Sequence, residues 1–279
     1  MSGRLFGGEG EIMKVGFIGA GNMGGALAEA AKKAVGKDDV FVSASSIESA
    51  KRHAEKLGVK AALNNEIYKT CDFIFLGVKP YLIKKVVADA ADILKNRSDF
   101  TLVTMAAGVE IADVLSALDF SAPVIRIMPN TPVKIGKGTV PFTCSRQVTG
   151  KVKTEFKKVL GYAGVLAEVE ENKIDAIGAL AGSGPAFVYE FIDALATAGV
   201  ECGLKKADAL EFAEQTVAGA AELALYSGVH PQVLKDEVMS PGGTTVEGVH
   251  ALEKGGFKNA VMNAVVAAYN KTLAMKSKK

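Results

Sequence analysis

A glycine-rich segment near the start of the chain has the spacing of a dinucleotide-binding turn. Residues 19–24 fit the pattern G-x-G-x-x-G and read Gly19-Ala20-Gly21-Asn22-Met23-Gly24. The segment follows an apolar stretch, residues 15–18, and opens a helical pattern. In this context the first glycine makes a tight turn, the second lets the backbone approach a pyrophosphate, and the third allows the helix to pack on the strand. We therefore expect these six residues to bind a dinucleotide, and a glycine turn without a ligand is the alternative.

The residues after the second predicted strand indicate which dinucleotide is bound. An NAD-specific site usually has Asp or Glu there, which holds the ribose 2′-hydroxyl. This chain has Ser43-Ala44-Ser45-Ser46, so Ser45 and Ser46 offer hydroxyls where a carboxylate would repel a 2′-phosphate. Arg52 follows on the next helix and either approaches that phosphate or lies on a solvated face. The pattern favours NADPH, with NADH as a secondary cofactor.

Three more turns follow predicted strands. They read Val78-Lys79-Pro80, Ala106-Ala107-Gly108 and Met128-Pro129-Asn130-Thr131-Pro132. Ligands of an open parallel sheet lie beyond the carboxyl ends of its strands, although each segment alone is also compatible with a simple turn. We expect these turns to border the nicotinamide half of the cofactor through Val78, Lys79, Pro80, Ala106, Ala107 and Asn130.

Two glycine clusters precede apolar helices in the second half of the chain. They read Gly182-Ser183-Gly184-Pro185 and Ser240-Pro241-Gly242-Gly243-Thr244-Thr245. Small residues before a helix expose backbone N–H groups at the positive end of the helix dipole, where a carboxylate can bind without Arg or Lys. Two ordinary interhelical turns are the equally simple alternative.

Several kinds of catalytic centre are missing from the sequence. The three histidines, His53, His230 and His250, lack metal-ligand spacing, and no G-x-S-x-G motif occurs. We expect no metal, and an enzyme that works mainly through its cofactor and through positioning.

The elements that must position these residues alternate between strand and helix in the first part of the chain. We predict strands at residues 15–18, 40–44, 73–78, 102–105 and 124–128, and helices from Asn22 and at 47–57, 82–94 and 111–118. Strands this uniformly apolar belong to a parallel sheet that is covered on both faces. The fold class is therefore α/β, with a doubly wound, mainly parallel Rossmann domain over residues 13–171. Residues 1–12 are interpreted as a leader or cloning remnant outside the fold.

Strand patterns stop near Asn172, and long alanine-rich helices follow at residues 186–200, 206–226 and 257–275. We expect residues 172–279 to form an all-helical substrate-binding domain. Its helices are apolar around most of their circumference, which indicates dimerisation with a second copy of the chain. Lys276, Lys278 and Lys279 are interpreted as a solvated tail.

Composition excludes several partners. The 279 residues include 33 basic and 31 acidic side chains, a net charge of +2, so no basic surface for nucleic acid is indicated. No apolar run reaches the length of a membrane span, and no signal peptide is recognisable, which favours the cytoplasm. Cys71, Cys144 and Cys202 are widely spaced in apolar surroundings and are expected to be buried.

Together, the motifs of residues 19–24, 78–80, 128–132, 182–187 and 240–245 occur in the order found in pyrroline-5-carboxylate reductases, and the chain resembles that family from Met13 to about Ala274. The resemblance implies reduction of 1-pyrroline-5-carboxylate to L-proline by hydride from NAD(P)H. It also implies a Rossmann domain followed by a helical dimerisation domain, and a homodimer that can extend to a ring of dimers.

The resemblance also assigns roles to individual residues. It implies that Ser183, Gly242, Gly243, Thr244 and Thr245 hold the imino acid substrate. Asn64 and the 78–80 turn are implied to contact the cofactor. Where some family members have a threonine proposed to contact the ring nitrogen, this sequence has Glu190. The proton donor is therefore open among Ser183, Thr244, Glu190 and water.

Two other functions remain as alternatives. A β-hydroxyacid dehydrogenase shares the domain plan but needs a lysine on the helix after its second glycine motif, and no lysine follows Pro185 until Lys205. A catalytically silent dinucleotide-binding regulator would need the first motif but not the segment at residues 240–245.

Overall fold

The structure is a computed structural model that describes residues 13–276. Residues 1–12, Lys278 and Lys279 lie outside the described residues, and so do the predictions made for them. The chain divides into two compact units, one of residues 13–182 together with 269–276 and one of Ser183–Ala268. The domain boundary expected between residues 171 and 172 precedes this division by one short helix and a turn.

The first unit is built on an eight-stranded sheet in the order β3-β2-β1-β4-β5-β6-β7-β8. Its strands are β1 (Val15–Ile18), β2 (Val40–Ser43), β3 (Lys60–Ala61), β4 (Phe73–Leu76), β5 (Thr101–Thr104), β6 (Val124–Ile127), β7 (Gly138–Cys144) and β8 (Gly164–Glu168). All neighbours pair in parallel except β6 and β7, which are antiparallel. The strand order reverses at β1, where a doubly wound sheet opens a crevice for a ligand.

Helices cover both faces of this sheet. They are α1 (Asn22–Val35), α2 (Ile47–Leu57), α3 (Asn64–Thr70), α4 (Ile83–Leu94), α5 (Ile111–Leu118), α6 (Gly150–Val159) and α7 (Glu171–Ile177). Successive strand residues point to opposite faces, so Phe73 and Phe75 join one apolar core while Ile74 and Leu76 join the other. Phe17 stacks on Phe75 with ring centroids 4.6 Å apart. The uniformly apolar strands thus have the two-sided burial that the sequence predicted.

The second unit is helical, as expected. A π-helical turn, Gly178–Gly182, precedes it, and α8 (Gly184–Glu201), α9 (Lys206–Ser227), α10 (Pro231–Val238), α11 (Thr244–Lys254) and α12 (Phe257–Lys276) follow. The part of α12 from Tyr269 onwards belongs to the first unit. Only three residues of Ser183–Ala268 are buried: Ala196, Ala209 and Ala213. Many large apolar side chains of this unit are therefore exposed on a single chain.

Three expectations need correction. Lys276 does not belong to a solvated tail, because its ammonium group pairs with Glu110 and Asp175. Cys71 is buried as expected, but Cys144 is only half-buried and Cys202 is exposed. Burial raises the pKa of the Cys71 thiol to about 12.

Within residues 13–276, no helix is both long and apolar enough to span a membrane.

Candidate active site

The glycine turn after β1 is shaped by close backbone contacts. Gly19 has φ +95°, and a Cβ atom there would lie 2.7 Å from the carbonyl oxygen of Gly77. A Cβ atom on Gly24 would lie 2.2 Å from the carbonyl oxygen of Gly19. Gly77, which follows β4, is equally constrained by Gly19 and was missed in the sequence because it belongs to no motif. These contacts bring the ends of β1 and β4 together at the point where the strand order reverses.

The N-terminus of α1 is open beside this turn. Gly21 is the N-cap residue, no side chain caps the helix, and its first turn has no acidic residue. A Cβ atom on Gly21 would meet nothing within 4 Å. Ala20 is buried, Met23 packs on the core, and Asn22 is exposed. The free N–H groups and positive dipole end fit the pyrophosphate of a dinucleotide.

A cavity of about 310 Å³ lies beyond β2. It is lined by Ala44, Ser45, Ser46, Ile47, Ala62, Leu63, Asn64 and Asn65. None of these lining residues is acidic. The cavity therefore brings the predicted Ser45, Ser46 and Asn64 together in surroundings that tolerate a phosphate.

Ser43 orients the amide of Asn64. Its buried hydroxyl donates to Asn64 Oδ1 at 2.6 Å, which leaves the Nδ2 donors of that amide for a ligand. Its carbonyl oxygen accepts from the backbone N–H of Gly19 at 3.1 Å. Ser43 therefore joins the glycine turn to the cavity. From the sequence, Ser43 is predicted only as part of the hydroxyl-rich turn, without this role.

Charges around α2 lie outside the cavity lining. Ser46 caps α2 by accepting from the backbone N–H of Ser49 at 3.2 Å. Hydrogen bonds from its own backbone amide and from Ser46, together with the charges of Lys51 and Arg52, lower the pKa of the exposed Glu48. Arg52 is exposed and is not a lining residue, so its contact with a 2′-phosphate stays a prediction.

The turns after β4 and β5 are neighbours because these strands pair with Leu76 opposite Thr104. Lys79 is exposed and precedes a 3₁₀ turn that begins at Pro80, while Val78 packs on the core. Ala106 is buried and Ala107 is half-buried. Their backbone atoms therefore share the sheet edge at which the nicotinamide half is expected.

Asn130 joins two elements of the first unit. Its Oδ1 accepts from the backbone N–H of Thr139 at 2.8 Å, and its Nδ2 donates to the carbonyl oxygen of Ala181 at 3.0 Å. The side chain is 8% exposed and thus fixes the π-helical turn against the start of β7. A cofactor contact by Asn130 stays a prediction beside this internal role.

Within the second unit, α8 and α11 begin without a side-chain cap. Ser183 is the N-cap residue of α8, and its hydroxyl makes no capping hydrogen bond. Gly243 is the N-cap residue of α11, which Thr244 and Thr245 open. Gly242 has φ +68°, a backbone conformation that favours glycine. Glu190 is exposed on α8. The N–H groups at both helix starts lack side-chain caps, and a carboxylate contact there stays a prediction.

Comparisons with known proteins agree with these two halves. Residues 171–275 match a family model described as pyrroline-5-carboxylate reductase dimerisation, and residues 14–108 match one described as NADP oxidoreductase, coenzyme F420-dependent. A prephenate dehydrogenase from Aquifex aeolicus, 14% identical with a TM-score of 0.52, shares the fold alone.

Closer relatives cover almost the whole chain. Pyrroline-5-carboxylate reductase from Pisum sativum is 40% identical over 91% of this chain and 93% of its own length. The Escherichia coli enzyme is 36% identical over 93% of this chain and 97% of its own length. The crystal structure of Plasmodium falciparum pyrroline carboxylate reductase with NADP bound has a TM-score of 0.85 at 32% identity, covering 95% of this chain and 98% of that one. The chain belongs to the pyrroline-5-carboxylate reductase family.

Proposed function

We propose that this protein reduces 1-pyrroline-5-carboxylate to L-proline with NAD(P)H. Its relatives from Pisum sativum and Escherichia coli are named pyrroline-5-carboxylate reductases. The observation that carries the proposal is the open N-terminus of α1 at Gly21, beside a glycine turn that side chains would fill. This cradle fits a dinucleotide pyrophosphate in a chain of the reductase family. When bound, the nicotinamide supplies the hydride that adds to the carbon of the C=N bond.

The protein contributes alignment and charge complementarity. A protonated imine is already electrophilic, so the residues around it mainly need to orient it and exclude water. Gly242, Gly243, Thr244 and Thr245 hold the substrate carboxylate at the N-terminus of α11, together with the hydroxyl of Ser183 at the start of α8. Support comes from the absence of side-chain caps at both helices.

Proton transfer at the ring nitrogen is assigned to a small group of candidates. Ser183 and Thr244 have hydroxyls at the two helix starts, and Glu190 lies on the exposed surface of α8 two turns after Ser183. Substitution of each with alanine, with the pH profile of kcat as readout, identifies the one whose loss moves the profile.

NADPH is the preferred cofactor in this proposal. The cavity after β2 offers Ser45, Ser46 and the Nδ2 atom of Asn64 and has no acidic lining residue. A carboxylate, which would hold a free 2′-hydroxyl and repel a 2′-phosphate, is therefore absent from the described lining.

The proposal includes a homodimer as the minimal assembly, with a ring of such dimers as its extension. The match to a dimerisation model and the exposed apolar side chains of Ser183–Ala268 support it. A cytoplasmic location is also proposed, since Cys71, Cys144 and Cys202 are free thiols of the kind usual in reducing compartments. Residues 172–279 form the proposed substrate-binding and dimerisation domain.

A substitution in the 240–245 segment tests the substrate site. Gly242→Val adds a β-branched side chain at a positive φ where a ligand must approach the backbone. We expect kcat/KM for the imine to fall at least ~100-fold, about 2.7 kcal/mol. NADPH affinity, measured by fluorescence titration, should change by less than about threefold.

Gly228→Val is the matched control. Gly228 also has a positive φ, +65°, and a Cβ atom built on it would meet nothing within 4 Å, but this residue lies at the C-terminal end of α9, away from the 240–245 segment in the sequence. A folded control should keep its imine turnover. Near-normal turnover by Gly242→Val would contradict the substrate site. If the unsubstituted protein bound NADPH without reducing the imine, the regulator alternative would gain support, and oxidation of a β-hydroxyacid would favour the dehydrogenase.

A further inference from the structure

A cluster of five charged side chains joins distant parts of the first unit. Arg126 on β6 is fully buried and donates from Nη2 to Asp175 Oδ1 at 2.6 Å, and its Nη1 lies 3.5 Å from Glu171 Oε1. Lys276, at the end of α12, contacts the other oxygen of Asp175 and lies 2.6 Å from Glu110 Oε1. Each oxygen of the buried Asp175 carboxylate thus has its own cation.

This cluster is attached to the turn that follows β5. Glu110 is the N-cap residue of α5, and its backbone N–H donates to Asp113 Oδ2 at 2.9 Å. The backbone N–H of Ile111 donates to Glu171 Oε1 at 2.8 Å. Two backbone N–H groups at the start of α5 therefore donate to carboxylates, one from Glu171 of the cluster and one from the neighbouring Asp113. These hydrogen bonds hold the start of the helix in place.

Lys276 also contacts the turn through its aliphatic stem. Gly108 has φ +70°, and a Cβ atom built on it would lie 3.6 Å from Lys276 Cγ. The backbone N–H of Val109 donates to the carbonyl oxygen of Ala106 at 3.2 Å, which closes the turn. The lysine thus packs beside residues 106–108 and pairs with the residue at the start of the next helix.

We infer that Lys276 is a positioning residue for the reduction: through Glu110 and Asp175 it holds the 106–108 turn against which the nicotinamide half of the cofactor lies. This inference rests on the proposed function. Arg126 alone satisfies one oxygen of Asp175 and connects β6 to α7, so the fold has that ion pair without Lys276. What Lys276 adds is a connection between this pair and the turn.

Lys276 contributes to alignment through Glu110 and to folding through Asp175. The Lys276 side chain is 26% exposed and Glu110 is 46% exposed, and an ion pair this open to water contributes little to stability. The contact with Asp175, whose side chain is 4% exposed, contributes more, because its loss leaves one oxygen of a buried carboxylate without its cation. A misplacement of about 1 Å near reacting atoms can cost on the order of 100-fold in rate. Burial alone would lower the pKa of Lys276, but hydrogen bonds to Asp175 and Glu110 outweigh it and raise the pKa, so the ammonium is charged at neutral pH.

The test compares four single variants and one double variant of the full chain by single-turnover oxidation of NADPH with the imine. Lys276→Met keeps the stem but removes the charge, and Glu110→Gln removes the partner charge at nearly constant shape. Both should lower the hydride-transfer rate about 10-fold while the Kd of NADPH changes less than about threefold. Lys276→Arg should recover most of the rate. Lys271→Met, an exposed lysine on the same helix, is the control and should match the unsubstituted protein.

The double variant Lys276→Met/Glu110→Gln should be no slower than the slower single variant, because both act through one contact. An unchanged rate in Lys276→Met, or an equally slow Lys276→Arg, would overturn the inference. Should Lys276→Met fail to fold, Glu110→Gln decides alone, and an unchanged rate there overturns the inference. Lack of imine reduction in the unsubstituted protein and in Lys271→Met alike would contradict the proposed function instead.

Discussion

We predict that Ser45 lies where one side chain can select between the two nicotinamide cofactors. It is exposed and lines the 310 Å³ cavity with Ser46 and Asn64. Its hydroxyl neither repels a 2′-phosphate nor offers the carboxylate that would hold a free ribose hydroxyl. Cofactor preference should therefore depend on the charge at this residue.

Ser45→Asp should shift the preference from NADPH toward NADH. A carboxylate in the cavity would repel the 2′-phosphate and accept from the 2′-hydroxyl. The difference in activation free energy between the two cofactors should therefore change by on the order of 1 to 3 kcal/mol in favour of NADH. The measurement is steady-state kinetics with both cofactors in one buffer. Ser45→Asn controls for size without charge. A clear NADH preference in the unsubstituted protein would contradict the proposed role of this cavity.

Single residues of the site differ in how far the sequence could predict them. Gly19, Gly21 and Gly24 follow from a motif whose backbone requirements are local. The structure shows the close backbone contacts of Gly19 and Gly24 and open space beside Gly21. Ser43 and Gly77 could not be assigned, because their roles depend on contacts with Asn64 and Gly19, which are far from them in the sequence.

Among the helices, α6 has a buried charge without a complete set of partners. Glu155 is 9% exposed, and its Oε2 atom has no hydrogen-bond partner. Burial raises the pKa of Glu155, and the charges of Lys151 and Lys158 only partly offset this. Above that pKa the folded protein must keep an unfavourable carboxylate in its interior.

Glu155→Gln should therefore stabilise the protein by on the order of 1 kcal/mol at pH 7, measured by urea unfolding. The raised pKa means that the folded state binds more protons than the unfolded state between the two pKa values. Stability should fall as the pH rises through that window, and this contribution should vanish in the variant. Glu55→Gln, on the exposed face of α2, should keep the pH dependence of the unsubstituted protein. Equal pH dependence in both variants would contradict the prediction.

Elements with a strong local pattern were predicted closely. The bounds of β1, α2 and α5 agree with the sequence prediction, because each combines an apolar period with a clear start and stop.

Two strands at the end of the sheet, β7 and β8, were missed. β7 contains Pro141, which cannot donate to a neighbouring strand, and β8 lies at the sheet edge and has no buried residue. Their pairing depends on the sheet as a whole, including the antiparallel contact between β6 and β7.

At the scale of the whole molecule, the second unit has too little interior for a single copy. Its exposed side chains include Leu225 at 85%, Phe212 at 60% and Val266 at 54%. Monomeric proteins rarely expose apolar surface on this scale, and a second copy of the chain can cover it. Folding of this unit should therefore depend on association.

Deletion of all residues after Ser240 should give an insoluble or aggregated chain, since it removes α11 and α12 from that association. Val266→Glu is a smaller change than the deletion. It should weaken the dimer, because it would place a charge in the apolar contact between the two copies. Light scattering should report the mass of at least two chains for the unsubstituted protein. Val165→Glu, on the edge strand of the first unit, should remain at least dimeric. A soluble, well-folded monomer after the deletion would contradict obligate dimerisation.

The contact between Glu110 and Lys276 also affects the order in which the protein can be completed during its synthesis. The two residues are 166 positions apart, so the lysine is made only after all of Ser183–Ala268 has been translated. At roughly 5 to 20 residues per second, the delay is on the order of 10 to 30 seconds. During that time the β5 turn and the start of α5 lack the lysine. A nascent Rossmann unit should therefore bind NADPH before it can align the cofactor for the reaction.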